Sequence, residues 1–110
     1  MSTDAQAAMA TAVNRMWVQY LPLMEDRVEA LEIAASAFAK HTLSIEQHDA
    51  AKSAAHKLAG VLGTFGLTRG TVLARELEIM YSRQSGPDPA LAEQLAEIAT
   101  ELRRIVASRR

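Results

Sequence analysis

The stretch KSAAHKLAGVLGTFG, residues 52–66, decides the fold of this chain. On an α-helix, at about 100° per residue, its apolar side chains lie within about 60° of the side opposite His56. Together with a neighbouring alanine they predict the face that packs into a core: Ala51, Ala54, Leu58, Leu62 and Phe65. The stretch therefore predicts an amphipathic helix from about Ile45 to about Thr64, with His56 directed to solvent.

The helix face that His56 shares holds small or polar residues: Asp49, Lys52, Ala59, Gly60 and Gly63. A glycine inside a helix costs about 1 kcal/mol relative to alanine, so Gly60 and Gly63 require a reason other than stability. We predict that they allow the backbone or active site of another protein to approach the imidazole. Ala59, Gly60 and Gly63 are accordingly the predicted docking residues.

Residues that start or stop helices divide the rest of the chain. Pro22 either begins a second helix or kinks a continuous one, because proline is tolerated in a first helical turn. Ser44 and Gln47 form a capping-box pattern at the start of the helix that carries His56. The sequence SGPDP at residues 85–89 predicts a turn whose aspartate caps the last helix.

Apolar residues recur at three- and four-residue spacing in the other segments and predict their core faces. In the first segment these are Met9, Val13, Met16, Trp17 and Tyr20. In the second they are Val28, Leu31, Ala35 and Phe38, and in the last Leu91, Leu95, Ile98, Leu102 and Ile105. We predict one all-α domain, residues 1–110, that forms an antiparallel four-helix bundle with an additional or kinked N-terminal helix.

The composition excludes several kinds of site and partner. Cysteine is absent, which excludes disulfides and thiolate zinc sites. The formal charge of −1 gives no general attraction to nucleic acid or to acidic membranes. No apolar run approaches the roughly 20 residues of a membrane span, and the first residues lack the pattern of a secretory signal. We therefore expect a cytoplasmic protein.

The remaining histidines are interpreted as non-functional. His48 is interpreted as an ordinary surface residue, and His41 as lying at a helix end, where an imidazole suits the helix dipole. A metal site built from His48, His56 and Asp49 is disfavoured, because bundles bind metals through inward-facing ligands from several helices and no Glu-x-x-His pair is present. We predict no metal and no cofactor.

An exposed imidazole is suited to carrying a phosphoryl group. The ring is nucleophilic near neutral pH, and the phosphorylated ring is a high-energy phosphoramidate whose phosphoryl group can be handed onward. A carrier needs an exposed ring, a partner that orients the other ring nitrogen, and no base that activates water. Lys52 and Lys57 flank His56 and would attract a phosphoryl group or the acidic pocket that delivers it.

The run AAHKLAGVLGTFGL resembles the phosphoacceptor motif of histidine-phosphotransfer (Hpt) domains. In that family the histidine is followed by a hydrophobic residue and two glycines, which here are Leu58, Gly60 and Gly66. The stretch GTFG is similar to the phosphoacceptor domain of chemotaxis-type histidine kinases. The resemblance implies an antiparallel four-helix bundle that exchanges a phosphoryl group with a receiver-domain aspartate or a histidine kinase. We expect a monomer whose magnesium requirement is met by the receiver.

The resemblance also assigns roles around His56. A glutamate on the next helix accepts a hydrogen bond from the other ring nitrogen, and Glu78 holds the matching position. Many members carry a lysine where this chain has Ala59. Either Arg75, Lys57 or Lys52 supplies the missing charge, or transfer is slower than in those relatives. Arg75 is favoured, because it lies one helical turn before Glu78 on the same face.

Three functions stay open at this point. The chain has no P-loop or kinase glycine loop, so we do not expect an enzyme that phosphorylates itself. The first hypothesis is a phosphocarrier, and the second is a non-catalytic docking module that regulates kinases or receivers by binding. The third is a bundle that self-associates through the face of Gly60 and Gly63.

Overall fold

The computed structural model describes residues 3–83 and 88–109. Within these residues it contains four helices and no strand: α1 (Thr3–Ala39), α2 (Ile45–Thr64), α3 (Thr68–Arg83) and α4 (Pro89–Ser108). α1 packs on α2 and α4, and α3 packs on the same two helices, which closes the bundle. The prediction of an all-α four-helix bundle is confirmed. No helix in the described part of the chain is both long and apolar enough to span a membrane.

α1 is one continuous helix of 37 residues with Pro22 inside it. The predicted additional helix is therefore absent from residues 3–39, and Pro22 does not begin a new element. Proline removes one backbone donor from the helix. The core residues that follow it, Met24 and Val28, are fully buried, and tertiary packing of this kind holds helices together despite an unfavourable residue.

The core prediction for the start of α1 is confirmed at Trp17 and wrong at Met9, Met16 and Tyr20, whereas Val13 is half-buried. Met9 is 70 % exposed, and Met16 and Tyr20 are also exposed. The buried seam of α1 begins at Trp17 and continues through Met24 and Val28. Residues 3–12 are all exposed, because α4 ends at Ser108 and the next residue, Arg109, contacts α1 further along, at Asn14 and Trp17. We call residues 3–12 the α1 arm.

The capping side chains predicted from the sequence are present at the starts of α2 and α4. The Ser44 hydroxyl accepts a hydrogen bond from the Gln47 N–H, and the Gln47 side chain accepts one from the Ser44 N–H, both at 3.0 Å. The Asp88 carboxylate accepts two backbone N–H bonds of the first turn of α4, at 3.0 and 3.3 Å. Both caps are confirmed, whereas residues 85–87 of the predicted turn lie outside the described residues.

A left-handed glycine ends α2 and sends the chain into α3. Gly66 has φ of +73°, a conformation that side chains with Cβ adopt only at a cost. The next residue, Leu67, donates its N–H to the carbonyl of Leu62 at 2.9 Å, which satisfies an otherwise unpaired carbonyl at the helix end. This tight reversal brings α3 back along α2.

α2 contributes a core face made largely of alanine. The predicted core residues Ala51, Ala54, Leu58 and Leu62 are buried, as are Ala55 and Ala59. Phe65 is half-buried, and its ring meets that of Trp17 edge-on with 5.1 Å between centroids. Gly70 of α3 is also buried, and an added Cβ there would lie 2.8 Å from the Leu62 side chain. Small residues therefore let α3 pack close to α2.

Tyr81→Phe should raise the free energy of unfolding by about 1 kcal/mol. The buried Tyr81 hydroxyl has no hydrogen-bond partner among residues 3–83 and 88–109. Burial raises the pKa of Tyr81 to about 12, above its ordinary value near 10. Folding thus favours the neutral hydroxyl, so the wild type loses stability as pH rises from about 10 to about 12, and the variant lacks that loss.

Urea unfolding of both proteins at pH 7 and pH 11 measures this effect. The stability gained by the variant should be larger at pH 11 than at pH 7. A variant less stable than the wild type at pH 7 would show that the hydroxyl is favourably bonded.

Candidate functional site

His56 lies near the middle of α2 and points to solvent, with 73 % of its side chain exposed. Glu78 approaches from α3 and is 29 % exposed. The His56 Nδ1 and Glu78 Oε2 atoms are 2.8 Å apart, which is the length of a charge-assisted hydrogen bond. The structure thus places the two residues in direct contact although 22 positions separate them along the chain.

This hydrogen bond distinguishes the two ring nitrogens. An ionised carboxylate can only accept, so in the neutral ring the proton lies on Nδ1, which donates to Glu78. Nε2 then carries the free electron pair, on the edge of the ring away from the carboxylate. The arrangement leaves one nucleophilic nitrogen accessible and anchors the other.

A shallow groove between α2 and α3 surrounds the pair. It is lined by His56, Ala59, Gly60, Arg75, Glu78 and Ile79. Arg75 is exposed in this groove and is the predicted cation that the structure brings to the site. Ile79, which is 49 % exposed, was not predicted, although a projection of α3 would have shown it apolar and directly next to Glu78.

The two lysines lie outside the groove. Lys52 is exposed one turn before His56 on α2, so it shares the face of the ring. Lys57 is exposed but points about 100° away from His56 around the helix. Neither forms an ion pair with any residue that the structure describes.

Ala59, predicted as a docking residue on the face of His56, is buried. Only 4 % of Ala59 is exposed, because α3 covers this edge of α2. Its carbonyl accepts a hydrogen bond from the Thr71 hydroxyl of α3 at 3.1 Å. A projection of α2 alone gives the angle between Ala59 and His56 but does not reveal which neighbouring helix covers that angle.

The two glycines of this face have different surroundings. A Cβ added to Gly60 would have no other heavy atom within 4 Å, so this position is open to a partner. A Cβ added to Gly63 would lie 3.3 Å from the Thr71 hydroxyl oxygen. Gly63 is exposed, but its missing side chain also makes room for α3 of the same chain.

His48 is not the ordinary surface residue that the sequence predicted. Its side chain is 30 % exposed, and Nε2 lies 2.6 Å from the backbone carbonyl of Tyr81 near the end of α3. The two rings meet edge-on. A histidine that bonds a carbonyl in the last turn of a helix satisfies one of its unpaired acceptors. His41 follows the end of α1, exposed and with φ of +57°.

No metal site is apparent in the described part of the chain. Residues 3–83 and 88–109 contain no group of three or more histidine or acidic side chains placed to hold an ion.

The chain is similar to a known protein family and to a curated protein. A family model described as "Hpt domain" matches residues 15–108. The curated protein RcaC from Microchaete diplosiphon is 30 % identical over 100 residues, which cover 91 % of this chain. The same match spans only 15 % of the length of RcaC. No solved structure matches the chain significantly.

Proposed function

Because this chain belongs to the Hpt domain family of histidine phosphotransfer modules, we propose that His56 is its phosphoacceptor. In this proposal Nε2 of His56 receives a phosphoryl group and exchanges it with a receiver-domain aspartate or a histidine kinase. The observation that carries the proposal is the exposed ring whose other nitrogen, Nδ1, is anchored on Glu78 at 2.8 Å.

In the transfer reaction, Nε2 of His56 and the carboxylate of Glu78 have different roles. The lone pair of Nε2 attacks phosphorus, and the N–P bond forms as the P–O bond to the receiver aspartate breaks. The aspartate leaves as a carboxylate, so no proton has to be supplied to it. Attack makes the ring more positive, and the carboxylate of Glu78 stabilises that charge through the proton on Nδ1. The reverse reaction passes the group onward.

The position of Glu78 also favours a carrier over a hydrolase. The carboxylate lies on the Nδ1 edge of the ring and is already bonded there. A general base for hydrolysis would have to reach a water next to the phosphorus on Nε2. Glu78 therefore orients the ring without activating water at the phosphoryl group.

Arg75 is the cation that we propose for the phosphoryl oxygens. It lines the groove with His56 and Glu78 and is exposed. Lys52, one turn before His56, adds positive charge at longer range, and Lys57 contributes less because of its direction. In this proposal the set compensates for alanine at position 59, where the family motif leads us to expect lysine.

We propose that the partner docks on the open side of the groove. Gly60 has no atoms above it, and Val72 and Ile79 are exposed apolar residues two turns apart on the same face of α3. Gly60, Val72 and Ile79 form the docking face. Apolar side chains beside polar ones suit a protein interface, whose buried core is apolar and whose rim is polar. We also propose a monomer, since Thr71 of the same chain already lies against Gly63.

A transfer assay tests the function. Receiver domains charged with ³²P-labelled acetyl phosphate are mixed with this chain, and the label on the chain is followed over time. We expect rapid appearance of a label that is lost in acid and stable in base, as a phosphoramidate is. A chain that binds the receivers but takes up no label from them or from a labelled histidine kinase would instead be a docking module.

Gly60→Ala should stabilise the bundle by about 0.5–1 kcal/mol and weaken docking. The added methyl meets no atom of the chain, so only the better helix propensity of alanine affects folding. The same methyl projects into the docking face, so the KM for a phosphorylated receiver should rise. Urea unfolding and transfer kinetics measure the two effects. A stabilised variant with an unchanged KM would remove Gly60 from the docking face.

A further inference from the structure

Three hydrogen bonds join α2 to α3 within the described residues. His48 donates to the Tyr81 carbonyl at 2.6 Å, His56 donates to Glu78 at 2.8 Å, and Thr71 donates to the Ala59 carbonyl at 3.1 Å. Along α2 the His56 bond lies between the other two. The bond that orients the reactive ring thus has another hydrogen bond between α2 and α3 on each side of it. We call these two flanking bonds, made by His48 and Thr71, the bracket.

Small residues make up more than half of the buried residues of this helix pair. Of the six residues that α2 buries, four are alanines. α3 buries Gly70 and Ala74 among its four. Short side chains make shallow ridges, so they resist sliding of one helix along the other less than interdigitated large side chains do. Directional hydrogen bonds then have a larger share in setting the register.

The His56 bond is sensitive to this register. Neighbouring residues of a helix differ by about 1.5 Å along its axis, and a slide of that size would misalign a hydrogen bond that is now 2.8 Å long. Thr71 and Glu78 are seven residues apart, two turns along the same face of α3. Holding Thr71 on the Ala59 carbonyl therefore holds Glu78 at a set height beside His56.

We propose that His48 and Thr71 are positioning residues that lock α3 in register with α2 and so keep Glu78 on His56 Nδ1. Gly63 contributes to the same positioning, because it leaves room for Thr71. A Cβ added to Gly63 would lie only 3.3 Å from the Thr71 hydroxyl oxygen. The effect on transfer rests on the proposed function, whereas the effect on the His56 ring does not. This role gives a function to His48, which lies outside the groove and bonds a backbone carbonyl of α3.

The test compares variants that remove the bracket but keep the shape. Thr71→Val removes the hydroxyl and retains the branched side chain, and His48→Phe removes the donor and retains a ring. Thr71→Ser restores a hydroxyl. Thr11→Val is the matched control, since the Thr11 hydroxyl bonds the Ala7 carbonyl within α1 and crosses no helix pair. Circular dichroism establishes that each variant is folded.

The decisive readout is the ¹⁵N spectrum of the His56 ring nitrogens above neutral pH. In the wild type and in Thr11→Val we expect the neutral ring to carry its proton mainly on Nδ1. In the His48→Phe/Thr71→Val variant that preference should be lost, and the transfer rate should fall about 10-fold, as for loss of an orienting partner. Thr71→Ser should keep the wild-type spectrum.

Several results would overturn the inference. One is an unchanged tautomer in the double variant, and another is a wild-type ring with no preference for Nδ1. If the double variant does not fold, Thr71→Val alone carries the test, with a smaller shift in the same direction expected and an unchanged spectrum contradicting the inference. If the wild type takes up no phosphoryl group, the proposed function fails, but the spectra still decide whether the bracket orients His56.

Discussion

His56→Gln abolishes phosphoryl uptake while the bundle stays folded. Glutamine has no nucleophilic ring nitrogen, so label from a charged receiver or kinase should fall to background. The side chain is 73 % exposed and bonds only Glu78 among residues 3–83 and 88–109, so folding depends little on it. Glutamine is also a good helix former, and the free energy of unfolding should change by no more than about 0.5 kcal/mol.

The chain contains three histidines, so substitution of another histidine is a control for His56→Gln. His41→Asn replaces an exposed histidine that follows α1 in a left-handed conformation, which asparagine tolerates. This variant should take up label at the wild-type rate. Acid-labile label that persists in His56→Gln would move the acceptor to another histidine and remove the assignment of His56.

Glu78→Gln slows transfer by about 10- to 100-fold without preventing it. The amide keeps the shape of the side chain but removes the negative charge that stabilises the proton on Nδ1 during attack. It can also donate to Nδ1, which would favour the tautomer whose free electron pair is on the wrong nitrogen. The loss should appear in the first-order rate of the bound complex, since the carboxylate is bonded within the chain.

Glu76→Gln provides the matched control for this prediction. Glu76 is exposed on the same helix, two residues before Glu78, and forms no ion pair with a described residue. Its variant should transfer within about two-fold of the wild type, as surface substitutions away from a site do. Equal rates for both variants would mean that the short contact with His56 has no part in the chemistry.

The features predicted well from the sequence are those set by neighbouring residues. The core face of α2 and the caps at Ser44 and Asp88 depend on helical periodicity and on backbone rules that act within a few residues. The pairing of His56 with Glu78 could not be predicted from neighbouring residues, because it joins two helices. Only the resemblance to a family suggested it, and no spacing rule would have.

The errors share a physical cause. A single helix gives the angle of each side chain about its own axis, but burial depends on where the neighbours end and which edge they cover. Ala59 is covered by α3, His48 reaches the end of α3, and Met9 extends beyond the end of α4. Ile79 is different, since a projection of α3 alone would have placed it next to Glu78, and only its position in the groove beside His56 required the fold.

The α1 arm has a consequence for how the mass of this protein is measured. The radius of gyration is 15.8 Å, whereas a compact domain of this length has about 13 Å, and the longest dimension is 57 Å against 20 Å across. An elongated monomer diffuses slowly and leaves a gel-filtration column early, where a compact dimer would also appear. Elution volume alone would therefore overstate the mass, and sedimentation equilibrium or light scattering is the measurement that separates hydrodynamic drag from association.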